Sequence, residues 1–241
     1  MKAVEILPMK KILLVEDDPD IIQLLNLNLN EPAYRLTSCM SGNEALQTIK
    51  NDCFDFILLD IMLPDLDGIE ICRTIRGQQL KTPIMMLSSR SEEIDKVLAL
   101  EMGADDYMTK PFSVRELTAR IKAHLRSREP EVLVETKPEI RFKDLVIDNH
   151  LKKVSLKNKR LELTQKEFDL LLQLARNPGK TYSRQELLTL VWGYNISDYE
   201  HTVTSHINRL RIKLETDLTK PQYILTSWGV GYRFADETPE Q

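Results

Sequence analysis

Four stretches of this chain end an apolar run on a residue able to do chemistry. Lys11–Val15 stops at Glu16-Asp17-Asp18, Phe56–Leu59 at Asp60, Pro83–Leu87 at Ser88, and Tyr107–Lys110 closes on Lys110 just before Pro111. Three carboxylates (Asp17, Asp18, Asp60) gathered at one place repel each other and need a cation. An oxygen-only donor set, without His or Cys, selects Mg²⁺, with Mn²⁺ as its substitute. With an ion beside it, a carboxylate can attack a phosphoryl group. Lys110 would then offset charge on the transferred oxygens, and Ser88 would donate a hydrogen bond to them. Each residue alone has a plainer reading, since an acidic pair at a helix start caps it and a strand-end Asp forms a turn. Their joint placement at four strand ends favours phosphoryl chemistry.

The elements that position them follow from periodicity. Short continuous apolar runs are strands buried on both faces, as in a parallel sheet. Arg35–Cys39 adds a fifth strand. Helices fall between the strands: one opened by Pro19, one capped by Ser41 and running to Lys50, Ile69–Arg76, Glu92–Met102 stopped by Gly103, and Val114–Arg126. Five strands alternating with five helices predict an α/β fold, a doubly wound (βα)5 parallel sheet. In such sheets, ligands collect at the carboxyl ends of the strands. The expected divisions are a 1–9 extension, a 10–126 first domain, a 127–139 linker with a flexible reach of roughly 20 Å, a 140–235 second domain and a 236–241 tail.

Bulk composition narrows the classes. The net charge is -4, shared as 15 Lys+Arg against 20 Asp+Glu through Ser127 and 18 against 17 beyond it. The second half is thus the better partner for a polyanion. Cys39, Cys53 and Cys72 all lie in the first half and read as small hydrophobes in a reducing compartment. No apolar run reaches membrane-span length and no signal peptide opens the chain, so a cytoplasmic protein without a membrane partner is expected.

The second half has another style. Arg141–Leu163 alternates in short segments broken at Asp148-Asn149 and Lys157-Asn158, an antiparallel meander. Capping boxes at Thr164/Glu167 and Ser183/Glu186 open two helices. A polar loop, Gly193–Glu200, leads to a third helix, His201–Glu215, and a hairpin turns near Trp228-Gly229. The third helix has Val203, Ile207, Leu210 and Leu214 on one face, and Thr202, Ser205, His206, Arg209 and Lys213 on the neighbouring stripe. That pattern fits a helix in a DNA major groove and also any amphipathic surface helix. Trp228 is either a stacking or wedge residue or a packed turn aromatic.

In the first half, Glu16-Asp17-Asp18, Leu59–Pro64, Gly68, Ser88-Ser89-Arg90, Gly103–Tyr107 and Thr109–Phe112 resemble the receiver domain of bacterial two-component response regulators. In the second, Val191–Gly193, Val203, His206-Ile207, Arg209–Arg211 and Gly229–Phe234 resemble the winged-helix effector of the OmpR/PhoB type. The resemblance implies that Asp60 takes a phosphoryl group from a sensor histidine kinase. It implies that Asp17, Asp18, Asp60 and the Met62 backbone carbonyl hold Mg²⁺, that Lys110 contacts the phosphate, and that Ser88 and Tyr107 are a switch pair moving inward. It also implies a homodimer when phosphorylated, through Lys96, Asp105, Asp106, Glu116, Arg120 and Lys122, with crossed pairs such as Lys96–Glu116 and Asp106–Arg120; an ordinary solvated charged face is the other reading. Promoter DNA would be contacted by His201, Thr202, Ser205, His206, Arg209, Arg211 and Trp228, and RNA polymerase by the Gly193–Glu200 loop. The chain departs from the family pattern at His201, Thr204, Ser205, Asn208 and Trp228.

The resulting expectation is a transcription regulator switched by phosphorylation, not a metabolic enzyme. A regulator of the same fold that works without phosphorylation ranks second. Asp65-Leu66-Asp67-Gly68 also mimics the start of an aspartyl phosphatase motif, but Pro64 separates its first Asp from the strand end.

Overall fold

The computed structural model describes residues 9–29, 33–89, 92–126, 139–193 and 199–236. The expected extension, nearly all of the linker and the tail therefore lie outside the described residues, as does most of the Gly193–Glu200 loop. The chain divides into two compact units after Leu125.

The first unit runs β1 (Lys10–Val15), α1 (Pro19–Leu29), β2 (Tyr34–Cys39), α2 (Gly42–Asn51), β3 (Phe56–Asp60), α3 (Gly68–Gly77), β4 (Ile84–Ser88), α4 (Glu93–Glu101), β5 (Asp106–Thr109) and α5 (Val114–Arg126). Its strands form one parallel sheet in the order β2-β1-β3-β4-β5. The reversal of strand order beside β1 and β3 opens a crevice at their carboxyl ends. Strand alternation divides the core into two layers. Leu13, Ile57, Leu59 and Met86 pack with α2, α3 and α4 residues such as Ala45, Ile71, Cys72 and Leu100. Ile12, Phe56, Leu58 and Met85 pack with Leu25 and Leu29 of α1 and Leu117 and Ile121 of α5. Every residue of β3 and β4 is buried, which is why their sequences show no alternation.

The second unit opens with an antiparallel meander, β6 (Glu139–Phe142), β7 (Leu145–Asp148), β8 (Lys153–Leu156) and β9 (Lys159–Leu161). Glu139, assigned to the linker from sequence, is instead the first residue of β6 and pairs with Asp148. Next come α6 (Gln165–Ala175), β10 (Thr181–Ser183), α7 (Arg184–Leu187) running into a π-helical turn (Leu188–Trp192), α8 (Glu200–Leu214), β11 (Ile224–Ser227) and β12 (Gly231–Phe234). Both capping boxes form, Thr164 with Glu167 and Ser183 with Glu186. The hairpin gains a third strand, β10, so the wing sheet is β10-β12-β11. Three residues between a turn and a helix are too few for a periodicity signal. One core, from Phe142 through Trp192 and Leu210 to Phe234, joins both sheets to the helices.

Candidate functional site

At the carboxyl end of β3, Asp60 is buried, and the strand's last residues are registered against β4 so that Asp60 pairs with Leu87. β5 delivers Lys110 to the same edge. The Lys110 backbone N–H donates to the Ser88 carbonyl at 2.8 Å. The Lys110 ammonium lies 2.5 Å from Asp60 Oδ2 and 2.7 Å from Glu16 Oε2. Glu16 continues β1 and is fully buried, while Asp17 is exposed. Carboxylate oxygens of Glu16, Asp17 and Asp60 lie within 4.8 Å of one another. The segment after β3 turns back at once, with the Met62 N–H donating to Asp60 Oδ1 at 3.0 Å and the Gly68 N–H to the Ile61 carbonyl at 2.8 Å. Only glycine fits at 68, because a Cβ there would stand 2.1 Å from the Asp60 carbonyl oxygen.

Three acids face one base. Burial pushes the Glu16 carboxyl up to about 7, and the charge of Asp60 adds to that rise against the lowering pull of Lys110. Burial alone would lower the Lys110 ammonium. Its hydrogen bonds to Asp60 and Glu16 outweigh this and raise it, so it stays charged. The oxygen-only cluster with surplus negative charge suits a divalent cation.

The carboxylate cluster differs by one residue from the one expected. Asp18 is outside the cluster: its Oδ1 accepts from the Asp20 N–H at 2.8 Å, opening α1, and Glu16 takes its place. Ser88 stands at the carboxyl end of β4 and Tyr107 near the start of β5, and both are fully buried. Asp65 and Asp67 are caps. Asp67 Oδ1 accepts from the Ile69 N–H at the start of α3, and Asp65 accepts from the start of α2.

The expected dimer face is also revised. Asp105, Asp106 and Arg120 are buried. Arg120 pairs within the chain, with Asp106 at 3.1 Å and with Glu116, one helical turn away, at 2.7 Å. Asp105 pairs with Arg76 at 2.6 Å. His124, which the sequence did not single out, adds a contact of 3.2 Å to Asp106. The inner side of α5 packs down onto β5, so these charges meet each other beneath the surface. Of the six residues, Lys122 is exposed, and Lys96 and Glu116 are half-buried.

In the second unit the corrections are larger. Thr202, Ser205, His206 and Arg209 are buried and cannot enter a groove. His206 Nδ1 lies 2.7 Å from the Thr202 carbonyl, and its ring meets Trp192 edge-on at 4.8 Å. Arg209 and Lys213 turn to the buried Glu167 of α6, at 3.7 and 2.6 Å. Arg211 reaches β11, donating to the Ile224 carbonyl at 2.9 Å and to Thr226 Oγ1 at 2.8 Å. The open side of α8 carries His201 and Thr204, half-buried, and Asn208 and Ile212, exposed. α8 is buried along two sides, so the stripe beside its apolar face is also interior. Trp228 is 91% exposed at the turn of the wing, which removes the packed-aromatic reading. Among the described residues no helix is long and apolar enough to cross a membrane.

A parallel sheet with an acid–lysine pocket, followed by a winged helix, defines a receiver joined to a DNA-binding effector. Comparison with known proteins agrees. Residues 12–122 match the response regulator receiver domain, and residues 158–234 match the C-terminal domain of transcriptional regulatory proteins. The chain is 45% identical over 233 residues to the alkaline phosphatase synthesis transcriptional regulatory protein PhoP of Bacillus subtilis, covering 94% of this chain and 97% of that one. Among solved structures it is similar to the response regulator DrrB, a Thermotoga maritima OmpR/PhoB homologue, at 38% identity over 95% of this chain and all of that one (TM-score 0.51). It is also similar to a cysteine-to-serine mutant of RitR, at 28% identity over 94% of this chain and 99% of that one (TM-score 0.72). The chain belongs to the OmpR/PhoB family of two-component response regulators and controls transcription. The family implies a sensor kinase and promoter DNA as its partners.

Proposed function

We propose that Asp60 is the phosphoacceptor and that its phosphorylation by a sensor histidine kinase raises occupancy of promoter DNA. The observation that carries this is the pairing of a buried Asp60 with Lys110 inside a cluster holding three acids against one base. An Asp60 oxygen attacks phosphorus, the phosphorus–nitrogen bond to the kinase histidine breaks, and the electron pair returns to the imidazole. Lys110 faces the incoming negative charge, and Ser88 donates to a transferred oxygen. Asp17, Asp60 and the Met62 carbonyl would hold Mg²⁺ (or Mn²⁺), with Glu16 behind them. A bound ion supplies positive charge opposite the phosphoryl oxygens. Tyr107, buried in β5, would be the partner of Ser88 in the switch. This is a switch and not a metabolic turnover.

Phosphorylation promotes a twofold dimer through the outer parts of α4 and α5, where Lys96, Glu116 and Lys122 remain within reach of solvent. Two effectors then act as one bivalent reader on repeats about one DNA turn apart. His201, Thr204, Asn208 and Ile212 would read the major groove, and Trp228 at the wing would enter the minor groove as a wedge. RNA polymerase would meet the loop after Trp192. The cytoplasm is the compartment where this partnership operates.

The test is promoter binding by Asp60→Asn against wild type, each with and without a small-molecule phosphodonor. Wild type should tighten on phosphorylation and the variant should not respond. If Asp60→Asn binds as tightly as phosphodonor-treated wild type, the proposal falls, and the phosphorylation-independent regulator is favoured.

A further inference from the structure

The segment between β3 and α3, residues Ile61–Asp67, walls an open cavity of about 340 Å³ whose other side is Asp17. Its base is tied to the phosphoacceptor. Met62 donates to Asp60, Met62 and Asp67 form an antiparallel bridge, and Gly68 donates to Ile61. Its tip is tied to a different element. Asp65 Oδ1 accepts from the Gly42 N–H at 2.7 Å, and Asp65 Oδ2 accepts from the Asn43 N–H at 2.9 Å and from Asn43 Nδ2 at 2.8 Å.

α2 already has a cap of its own, because the Ser41 hydroxyl accepts from the Glu44 N–H at 3.3 Å. Asp65 therefore satisfies two orphan amides that Ser41 leaves open, from 22 to 23 residues away. The contact is close throughout. A Cβ on Gly42 would come within 2.6 Å of Ile71 Cδ1 and 2.9 Å of Leu66 Cβ. The Asn43 and Gly42 amides hold the Asp65 carboxyl below the usual carboxylate range, so it is an acceptor at neutral pH.

We infer that Asp65 is a positioning residue for the phosphoacceptor site: by clamping the tip of the Ile61–Asp67 segment to the N-terminus of α2, it fixes the backbone at Met62. This rests on the cation site proposed above, to which the Met62 carbonyl contributes. A segment tethered at its base and at its tip has little freedom to turn its carbonyls, and that fixes a ligand before the ion arrives.

The experiment is calorimetric titration of the full-length protein with Mg²⁺ alone, alongside thermal unfolding. Asp65→Ala should weaken Mg²⁺ binding by about tenfold. Ser41→Ala removes the other cap of the same helix. It should lower the unfolding temperature about as much as Asp65→Ala while leaving Mg²⁺ affinity unchanged. The inference is overturned if Asp65→Ala binds Mg²⁺ as wild type does, or if Ser41→Ala weakens binding equally. Asp17→Asn separates the two levels. If it abolishes binding while Asp65→Ala does not, only the positioning role falls. If it leaves binding intact, the cation site falls and the positioning role with it.

Discussion

Asp60 at the end of β3 and Glu167 at the start of α6 are both buried carboxylates that meet bases, in opposite proportions. Around Asp60 the formal balance is three acids to one lysine, and the third acid, Asp17, is open to solvent. Around Glu167 it is one acid to two bases, Arg209 and Lys213, with its remaining valences spent on the Thr164 capping box. The same groups thus do different work. A cluster with surplus charge at an open strand edge asks for something from solution, a cation or a phosphoryl group. A cluster whose one acid is met by two bases inside the chain ties α8 to α6. The sign of the surplus charge and access to solvent, more than burial, separate the two acids.

Breaking the closed cluster should give the largest effect. Glu167→Ala takes the shared carboxylate away from Arg209 and Lys213 and opens a capping box, costing about 3–5 kcal/mol of effector stability. Chemical denaturation should register the loss, with Asp60 labelling by a phosphodonor unchanged. Lys110→Ala should act the other way. Phosphoryl transfer should fall by about 10²-fold, while Mg²⁺ binding tightens because a competing cation has gone. Radiolabelled phosphodonor and calorimetry read the two halves. On the DNA side, Asn208→Ala and Trp228→Ala should each weaken promoter binding by about 1–2 kcal/mol in mobility-shift titrations, without altering the melting temperature. Ser205→Ala, at a buried position, should not change which operator is preferred.

The smallest effect concerns a cap. The Ser183 amide and hydroxyl hold Glu186 below the usual carboxylate range. A carboxyl lowered by folding stabilises above its unfolded value and loses that contribution as pH falls through the folded one. Melting of wild type should therefore drop faster with acid than that of Glu186→Gln, in scans from neutral pH to below the ordinary Glu range.

The receiver was legible because its chemistry sits at strand ends, and continuous apolar runs mark where strands end. The placement of Asp60, Ser88 and Lys110 at one sheet edge needed no more than that. The slip at Glu16 has the same root. Burial continues one residue beyond Val15, and in a strand one position decides which side of the edge a carboxylate serves. α8 was harder. A helix packed along two sides buries polar residues beside its apolar face, and Thr202, Ser205 and His206 look the same in sequence whether they face a groove or a core. Arg209 and Lys213 were drawn inward by Glu167, a residue more than 40 positions away. The π-helical turn at Leu188–Trp192 has no residue pattern that announces it.

Arg211 bolts α8 to β11, and its guanidinium also lies over the Tyr232 ring at 5.7 Å. The recognition helix and the wing are therefore jaws of one caliper, with their gap set inside the protein. If Asn208 and Trp228 meet DNA as proposed, an operator with one base pair inserted between their two steps should lose the wing's contribution whole.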